Sequence, residues 1–484
     1  MNKIVVYTRL IALSIVALLL SSCTEYLNEI PKGQAIPVTW DDFNNFLKNE
    51  YFDGYNSEMG QVYVLMNDVY RSPTQLNTKL THANYNWDES INRADENTND
   101  YYLYTNNYSG VFYANLIIEE ADKMTECTEE QRRMIKAQAH MLRAMFYFHV
   151  ANYHADQYSL STLDKPSIPL VTSSSVEAPS PQVTIGELYD FILDDLHASL
   201  EHLPLEGETY HHPTKVAGYG MLARVYLSMS DYENALKYAD LALGMNDALF
   251  DWIAYYEADA ARYAEPAPGF PSSSYSTKCK PMAKTNPENY IFRYGSALDW
   301  SGISGKSMGI PLHRAARFEE GDARLRTHWK RRYYASTNED LYFGIHGEMM
   351  NVGGITSPEM YYIKAECLAR KGGASNINAA MDLLNTVRKT RIFPEFYADA
   401  TASTTKEAVN KIIDEKANEY IQTMIPFWDL RRLNKDPEYA RTLSKEVGGK
   451  TVSLKPDSHL WTMPFASRIL LNPGNGTIVQ NTPR

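Results

Sequence analysis

The 484-residue sequence predicts a mainly α fold, assembled from short helix pairs with a loop-rich lobe inserted among them. Three observations carry this. Between residues 215 and 244, small residues recur at Ala217, Gly220 and Ala223, then at Ala235, Ala239 and Ala242, on either side of a polar break at Ser230-Asp231-Tyr232. Residues 361–372 (YYIKAECLARKG) and 378–388 (NAAMDLLNTVR) read as another pair. Residues 53–108 and 252–356, by contrast, lose helical periodicity over most of their length and gain Asn, Asp, Tyr, Pro and Gly.

In the 215–244 pair, facing Ala and Gly residues let two helix backbones approach closely. Leu222, Tyr226, Leu236 and Leu241 are expected to fill the neighbouring grooves, and Asp231 is an N-cap type residue before the second helix. The spacing Tyr226, Tyr232, Ala235, Ala239, Ala242 resembles the tetratricopeptide pattern, a helix–turn–helix unit of ~34 residues. Such a unit cannot bury its apolar face alone, so further units are required.

At the start of the chain, Lys3 and Arg9 precede a short apolar run over residues 10–20. That run is too short to span a bilayer, which takes ~20 apolar residues, and fits a secretory signal. Leu20-Ser21-Ser22-Cys23 looks like a bacterial lipobox, so residues 1–22 are expected to be removed and Cys23 to carry lipid. Residues 23–50 would form the anchored N-terminal segment and 51–484 a single domain. The formal net charge of −12 argues against nucleic acid and against electrostatic attachment to anionic lipid. Cys127, Cys279 and Cys367 remain, which allows at most one disulfide, and no cysteine pair has metal-site spacing.

Further elements follow in order. A helix starts near Trp40 with an Asp as its cap, and the 53–108 stretch reads as loops with short helices. From Val111 the pattern is helical through Leu116, Ile117 and Ala121. Residues 129–153 form a second helix with Ile135, Ala139, Leu142, Ala144, Met145 and Phe148 as core. A Ser/Pro-rich connection over 171–182 leads to Thr184, which caps a helix reaching Leu203, and the last helix covers 405–423.

Several local patterns resemble SusD/RagB-like lipoproteins. They include Cys23 followed by Tyr26-Leu27-Asn28 and Pro31, Phe112-Tyr113-Ala114-Asn115, Leu142-Arg143-Ala144 through Tyr147-Phe148, and Ile168-Pro169-Leu170-Val171. Glu288 to Phe292, Ala365-Glu366 to Gly372, Leu384-Asn385 to Arg388, Phe427-Trp428-Asp429-Leu430-Arg431, Trp461 to Pro464, Asn472-Pro473 and Gln480-Asn481 extend the likeness to the C-terminus. The chain departs from the family at Glu415-Lys416 and Glu419-Tyr420, where a Glu-Arg, Glu-Leu and Gly-x-Arg series is usual, which puts local packing in question. The resemblance implies about four tetratricopeptide-like pairs, an outer-membrane protein exposed at the cell surface, and helices packed against a SusC-like TonB-dependent transporter. It also implies nutrient capture on the loop-rich side, with no cofactor.

Enzymatic and metal motifs are weak. Residues 302–307 end like a P-loop but lack its first Gly, Trp300 standing in that place, and Gly309-Ile310-Pro311 spoils the helix that should follow. His140, His149 and His154 lack zinc spacing and read as packed or solvated, and His211-His212 reads as exposed. Asp194-Asp195 and Glu319-Glu320 are adjacent carboxylates that point apart on a helix. No Gly-x-Ser-x-Gly elbow occurs.

What remains is an aromatic surplus of 35 Tyr and 7 Trp, several of them in loops. Sugar rings pack their C–H faces on aromatic rings while their hydroxyls need polar partners, and both kinds of group meet at Tyr85-Asn86-Trp87-Asp88. Trp87 is the expected platform, Asn86 and Asp88 the hydroxyl partners, and Tyr85, Tyr101, Tyr102 and Trp300 the remaining ligand-binding residues; the competing expectation is that these aromatics only anchor loops. The reading is a surface lipoprotein that captures oligosaccharide or polysaccharide and delivers it to its transporter. Alternatives are peptide or other nutrient capture, a helical adaptor that binds no ligand, and a glycan-cleaving enzyme.

Overall fold

Capping chemistry and apolar periodicity set the helices of this protein, and a computed structural model describes residues 37–48, 59–66, 70–71, 78–94, 102–258, 260, 285–295, 308–334, 339–344, 350–421, 423–471 and 478–481. Cys23 and the apolar leader, Tyr101, Cys279, Trp300 and the 302–307 segment lie outside the described residues. The principal helices are α1 (Trp40–Leu47), α2 (Met59–Met66), α3 (Lys79–Asn86), α4 (Tyr102–Glu120), α5 (Glu129–His154) and α6 (Ile185–Leu200). They continue with α7 (Lys215–Ser228), α8 (Tyr232–Leu243), α9 (Ser357–Lys371), α10 (Ala374–Arg388), α11 (Thr405–Glu419) and α12 (Ile425–Leu433). The fold is mainly α, and α4/α5, α7/α8, α9/α10 and α11/α12 give four tetratricopeptide-like pairs among the described residues.

The α7/α8 pair follows the sequence closely. Asp231 accepts from the Asn234 N–H at 3.1 Å, and Ser230 turns the chain at φ +62°. Ala217, Ala223, Ala235, Ala239 and Ala242 are fully buried, and Tyr226 stacks on Tyr238 with ring centroids 5.6 Å apart. A Cβ on Gly220 would come within 2.7 Å of Ile355, so the bare backbone is what lets α7 sit on the neighbouring strand. Leu241 departs from expectation. It is 41% exposed, because it lies on the face of α8 turned away from the core.

Other boundaries also shift. Thr39, not an Asp, caps α1; its hydroxyl accepts from the Asp42 N–H while the Asp42 carboxylate accepts from the Thr39 N–H, a capping box. Helix α4 begins at Tyr102 rather than at Val111, α6 ends at Leu200 and α11 at Glu419. His211 and His212 are buried rather than exposed, since Phe292 and Asn44 close over them through hydrogen bonds of 3.2 and 2.9 Å. Cys127 and Cys367 are free thiols. No helix among the described residues is long and apolar enough to cross a membrane.

Buried ion pairs tie the helices together. Arg143 on α5 grips Asp195 on α6 with two bonds of 2.7 Å and Asn115 on α4 with a third. Arg224 on α7 pairs with Glu359 on α9, and Arg432 on α12 pairs bidentately with Glu366 on α9 at 2.8 Å. The residues that depart from the family pattern complete this network. Glu419 holds both Arg391 and Arg324, Glu415 holds Arg324, and Lys416 holds Asp429 at 2.9 Å. Burial works against a charged Glu366, yet Arg432 and Arg370 hold its carboxyl down to about 2.

Among the described residues twelve short strands lie between helices: β1 (Tyr70–Arg71), β2 (Pro166–Pro169), β3 (Gln182–Thr184), β4 (Asn289–Ile291), β5 (Tyr294–Gly295), β6 (Met308–Pro311), β7 (Trp329–Tyr334), β8 (Glu339–Gly344), β9 (Met350–Asn351), β10 (Ile355–Thr356), β11 (Leu443–Val447) and β12 (Lys450–Leu454). An antiparallel sheet of order β1-β6-β8-β7 pairs Tyr70 with Gly309. It joins the two loop-rich stretches, far apart in sequence, into one lobe. The remaining strands form two-stranded antiparallel pairs, β2 with β3, β4 with β10, β5 with β9 and β11 with β12.

Candidate functional site

The stretch singled out by its aromatic and amide content ends helix α3. Thr78 caps its start, accepting from the Thr81 N–H at 3.1 Å, and Trp87 ends it in the left-handed region at φ +53° and ψ +44°. A bulky residue there is a strained choice. It is held by its indole N–H, which donates to the Leu65 carbonyl at 2.7 Å, and by burial, since only 6% of Trp87 is exposed. The turn that follows is fixed by Asp88, whose carboxylate accepts from both the N–H and the hydroxyl of Ser90 at 3.0 and 2.6 Å. Those bonds lower the Asp88 pKa.

Beneath this turn Arg93 acts as the rivet. Its guanidinium donates to Asn84 at 3.0 Å and to the carbonyls of His459, Leu460 and Thr462 at 3.1, 3.2 and 2.8 Å. Asn84 in turn donates to Gln61 on α2 at 3.1 Å. The α3 turn is therefore clamped between α2 and the C-terminal segment, which is itself bonded through Met463 to Tyr153 and His154 at the end of α5. That segment also lines a polar cleft of about 370 Å³, with Asp156, Lys435, His459 and Trp461 among its walls.

The predicted site residues are brought together only in part. Tyr85, Asn86 and Asp88 are half-buried at the surface of the α3 turn, whereas Trp87 lies beneath them as an anchor with no open ring face. Tyr102 begins α4. The burial of Trp87 has a physical cause, because the left-handed turn directs a large ring inward, where Leu65 and the β11–β12 hairpin receive it.

Sequence reasoning missed Arg93 and Lys445. Lys445 on β11 places its ammonium nitrogen 4.4 Å from the centre of the Tyr85 ring and 4.3 Å from that of Trp87. The signal was present: Leu443 to Leu454 alternates inward and outward residues around Gly448-Gly449, the pattern of a two-residue hairpin turn. The three histidines read as packed or solvated are packed. His149 stacks on Trp428, His154 stacks on Phe465, and His140 pairs with Asp195 at 2.7 Å. Asp195 is thus committed to Arg143 and His140 rather than paired with Asp194. No group of His, Cys, Asp and Glu suited to a metal ion occurs among the described residues.

Two family models match the chain. One, described as starch-binding associating with outer membrane, covers residues 25–227, and the other, described as the SusD family, covers 358–469. The chain belongs to the SusD/RagB-like family. Solved SusD-like structures agree in fold. A SusD superfamily protein from Bacteroides vulgatus is 17% identical with a TM-score of 0.70, covering 93% of this chain and 100% of its own. One from Bacteroides thetaiotaomicron is 18% identical with a TM-score of 0.68, covering 92% of this chain and all of its own. A surface glycan-binding protein from Bacteroides uniformis is 19% identical with a TM-score of 0.62, covering 92% and 99%. At these identities the likeness establishes the SusD-like fold. No curated protein matches the sequence.

Proposed function

We propose that this SusD-like protein is a lipid-anchored receptor of the outer-membrane surface, which captures oligosaccharide or polysaccharide and passes it to a SusC-like TonB-dependent transporter. The observation that carries the reading is the match of residues 25–227 to a starch-binding, outer-membrane-associating family, a span that includes the α3 turn. The turn itself supports it. A half-buried Tyr85 beside the Asn86 amide brings an aromatic ring and a hydroxyl partner together on a backbone fixed by Trp87 and Arg93, the preorganisation a sugar site requires. Cys23 supplies the anchor, and the helix pairs supply the surface for the transporter. The role is binding, without bond cleavage.

Calorimetry of the protein beginning at Thr24 against a broad glycan panel, with product analysis, tests this. Micromolar or tighter binding without product is the expected result. A folded protein silent toward every glycan would remove the reading and direct the search to peptides, and released reducing ends would replace a receptor with an enzyme.

A further inference from the structure

The β11–β12 hairpin carries an anomaly in charge. Its strands are joined by Gly448 and Gly449, both left-handed at φ +58° and +75°, and its register sets Lys445 opposite Val452. Burial alternates along β11, so Leu443, Lys445 and Val447 face inward while Ser444 and Glu446 face solvent. A lysine thus occupies an inward position of the hairpin. Its ammonium nitrogen is shielded from solvent, lies against the faces of Tyr85 and Trp87, and makes no hydrogen bond. Other interior cations have oxygen acceptors, as Arg431 has in the carbonyls of Asn152 and Ala155. Arg143, Arg224, Arg324, Arg391, Arg432 and Lys416 each meet a carboxylate.

Ring faces attract an ammonium by about 0.5–2 kcal/mol, which offsets only part of the cost of taking a charge out of water. They accept none of its three N–H donors in the way a carboxylate does. Burial alone, with no carboxylate contributing, pushes the Lys445 pKa down to about 7. A ligand that brought a carboxylate would satisfy the donors and the charge together. Tyr85 and Asn86 are half-buried at the surface of the turn while Trp87 is buried, so a ligand would come from the Tyr85 side, with Asn86 to meet its hydroxyls.

The geometry points to Lys445 as the residue that selects acidic glycans, its ammonium pairing with the carboxylate of a hexuronate unit whose ring packs on Tyr85. This rests on the glycan-capture reading and names the substrate class of the same site. The full-length protein is titrated by calorimetry with hexuronate oligosaccharides of pectin, alginate and glycosaminoglycan type, each beside its carboxyl-reduced counterpart. The acidic form of at least one pair should bind tenfold or more tightly than the reduced form. Lys445→Met should bring that pair within twofold while leaving the reduced form's affinity intact, and Lys445→Arg should restore part of the preference. Melting curves confirm that both variants fold. Neutral glycans binding with no acidic preference would overturn the role of Lys445 and leave glycan capture standing. Tighter neutral binding by Lys445→Met would overturn it too, by making the lysine a plug on the aromatic faces. Silence toward all sugars would overturn both readings.

Discussion

The helix pairs and the α3 turn treat buried polar groups in opposite ways. In the pairs, cations such as Arg224, Arg432 and Lys416 are matched by carboxylates from neighbouring helices, and small residues let backbones meet without strain. At the α3 turn a tryptophan is held left-handed, and a lysine lies on two rings with no acceptor. The first arrangement fixes one geometry by pairing each buried charge with its opposite, as a scaffold must. The second leaves hydrogen-bonding capacity in reserve, as a site for a ligand must.

The largest effect should come from breaking the scaffold's charge network. Glu419→Ala takes from the fully buried Arg391 one of its two carboxylate partners, leaving Glu288, and takes from Arg324 one of three, leaving Asp322 and Glu415. Removing one member of a buried pair costs about 3–5 kcal/mol when the remaining charge is left unpaired, and the carboxylates that stay with Arg391 and Arg324 put the expected loss at the low end, about 3 kcal/mol. Urea denaturation should show that loss as a lower midpoint with the same slope. A loss below about 1 kcal/mol would mean the network is not what ties α11 to its neighbours.

A second contrast concerns acid. Burial lowers His154 to about 4 and His212 to about 4, whereas an unfolded histidine titrates near 6.5. Both are neutral above pH 6.5 in either state. As pH falls below that, the unfolded chain takes up protons that the native state refuses, so stability falls between pH 6.5 and 4. Fully buried His154 alone accounts for up to about 3 kcal/mol at about 1.4 kcal/mol per pH unit. The paired carboxylates Glu366 and Glu419, both held at about 2, lose their contribution only as pH drops below about 4.5. Melting temperature followed from pH 7.5 to 4 should therefore decline from about pH 6.5. A plateau down to pH 4.5 would show that the histidines are not the acid-sensitive groups.

The scaffold was legible because its signals are local. Asp231, Thr184 and the Ala spacing of α7 and α8 each act within a few residues, and the structure keeps them. The Arg143 motif was recognisable too, although its partners Asn115 and Asp195 emerge only when three helices meet. The lobe was less legible because its contacts are long-range. Tyr70 pairs with Gly309, Arg93 reaches carbonyls more than 360 residues away, and Lys445 meets a turn from the opposite end of the chain. The segment Tyr85-Asn86-Trp87-Asp88 was found by composition. Which of its rings would face inward depended on a left-handed residue that sequence periodicity does not report.

The smallest effect sharpens the comparison most, because it separates anchoring from ligand contact within that segment. Trp87→Phe keeps an aromatic face beneath Lys445 but loses the indole N–H bond to Leu65, leaving a buried carbonyl without its donor. The expected cost is about 1 kcal/mol of stability. Glycan affinity should change less than threefold, since the ring lies under the surface, whereas Tyr85→Ala should weaken binding strongly with little change in stability. The reverse pattern, affinity lost at position 87 and kept at position 85, would mean that the turn opens on binding and presents the tryptophan itself to the sugar.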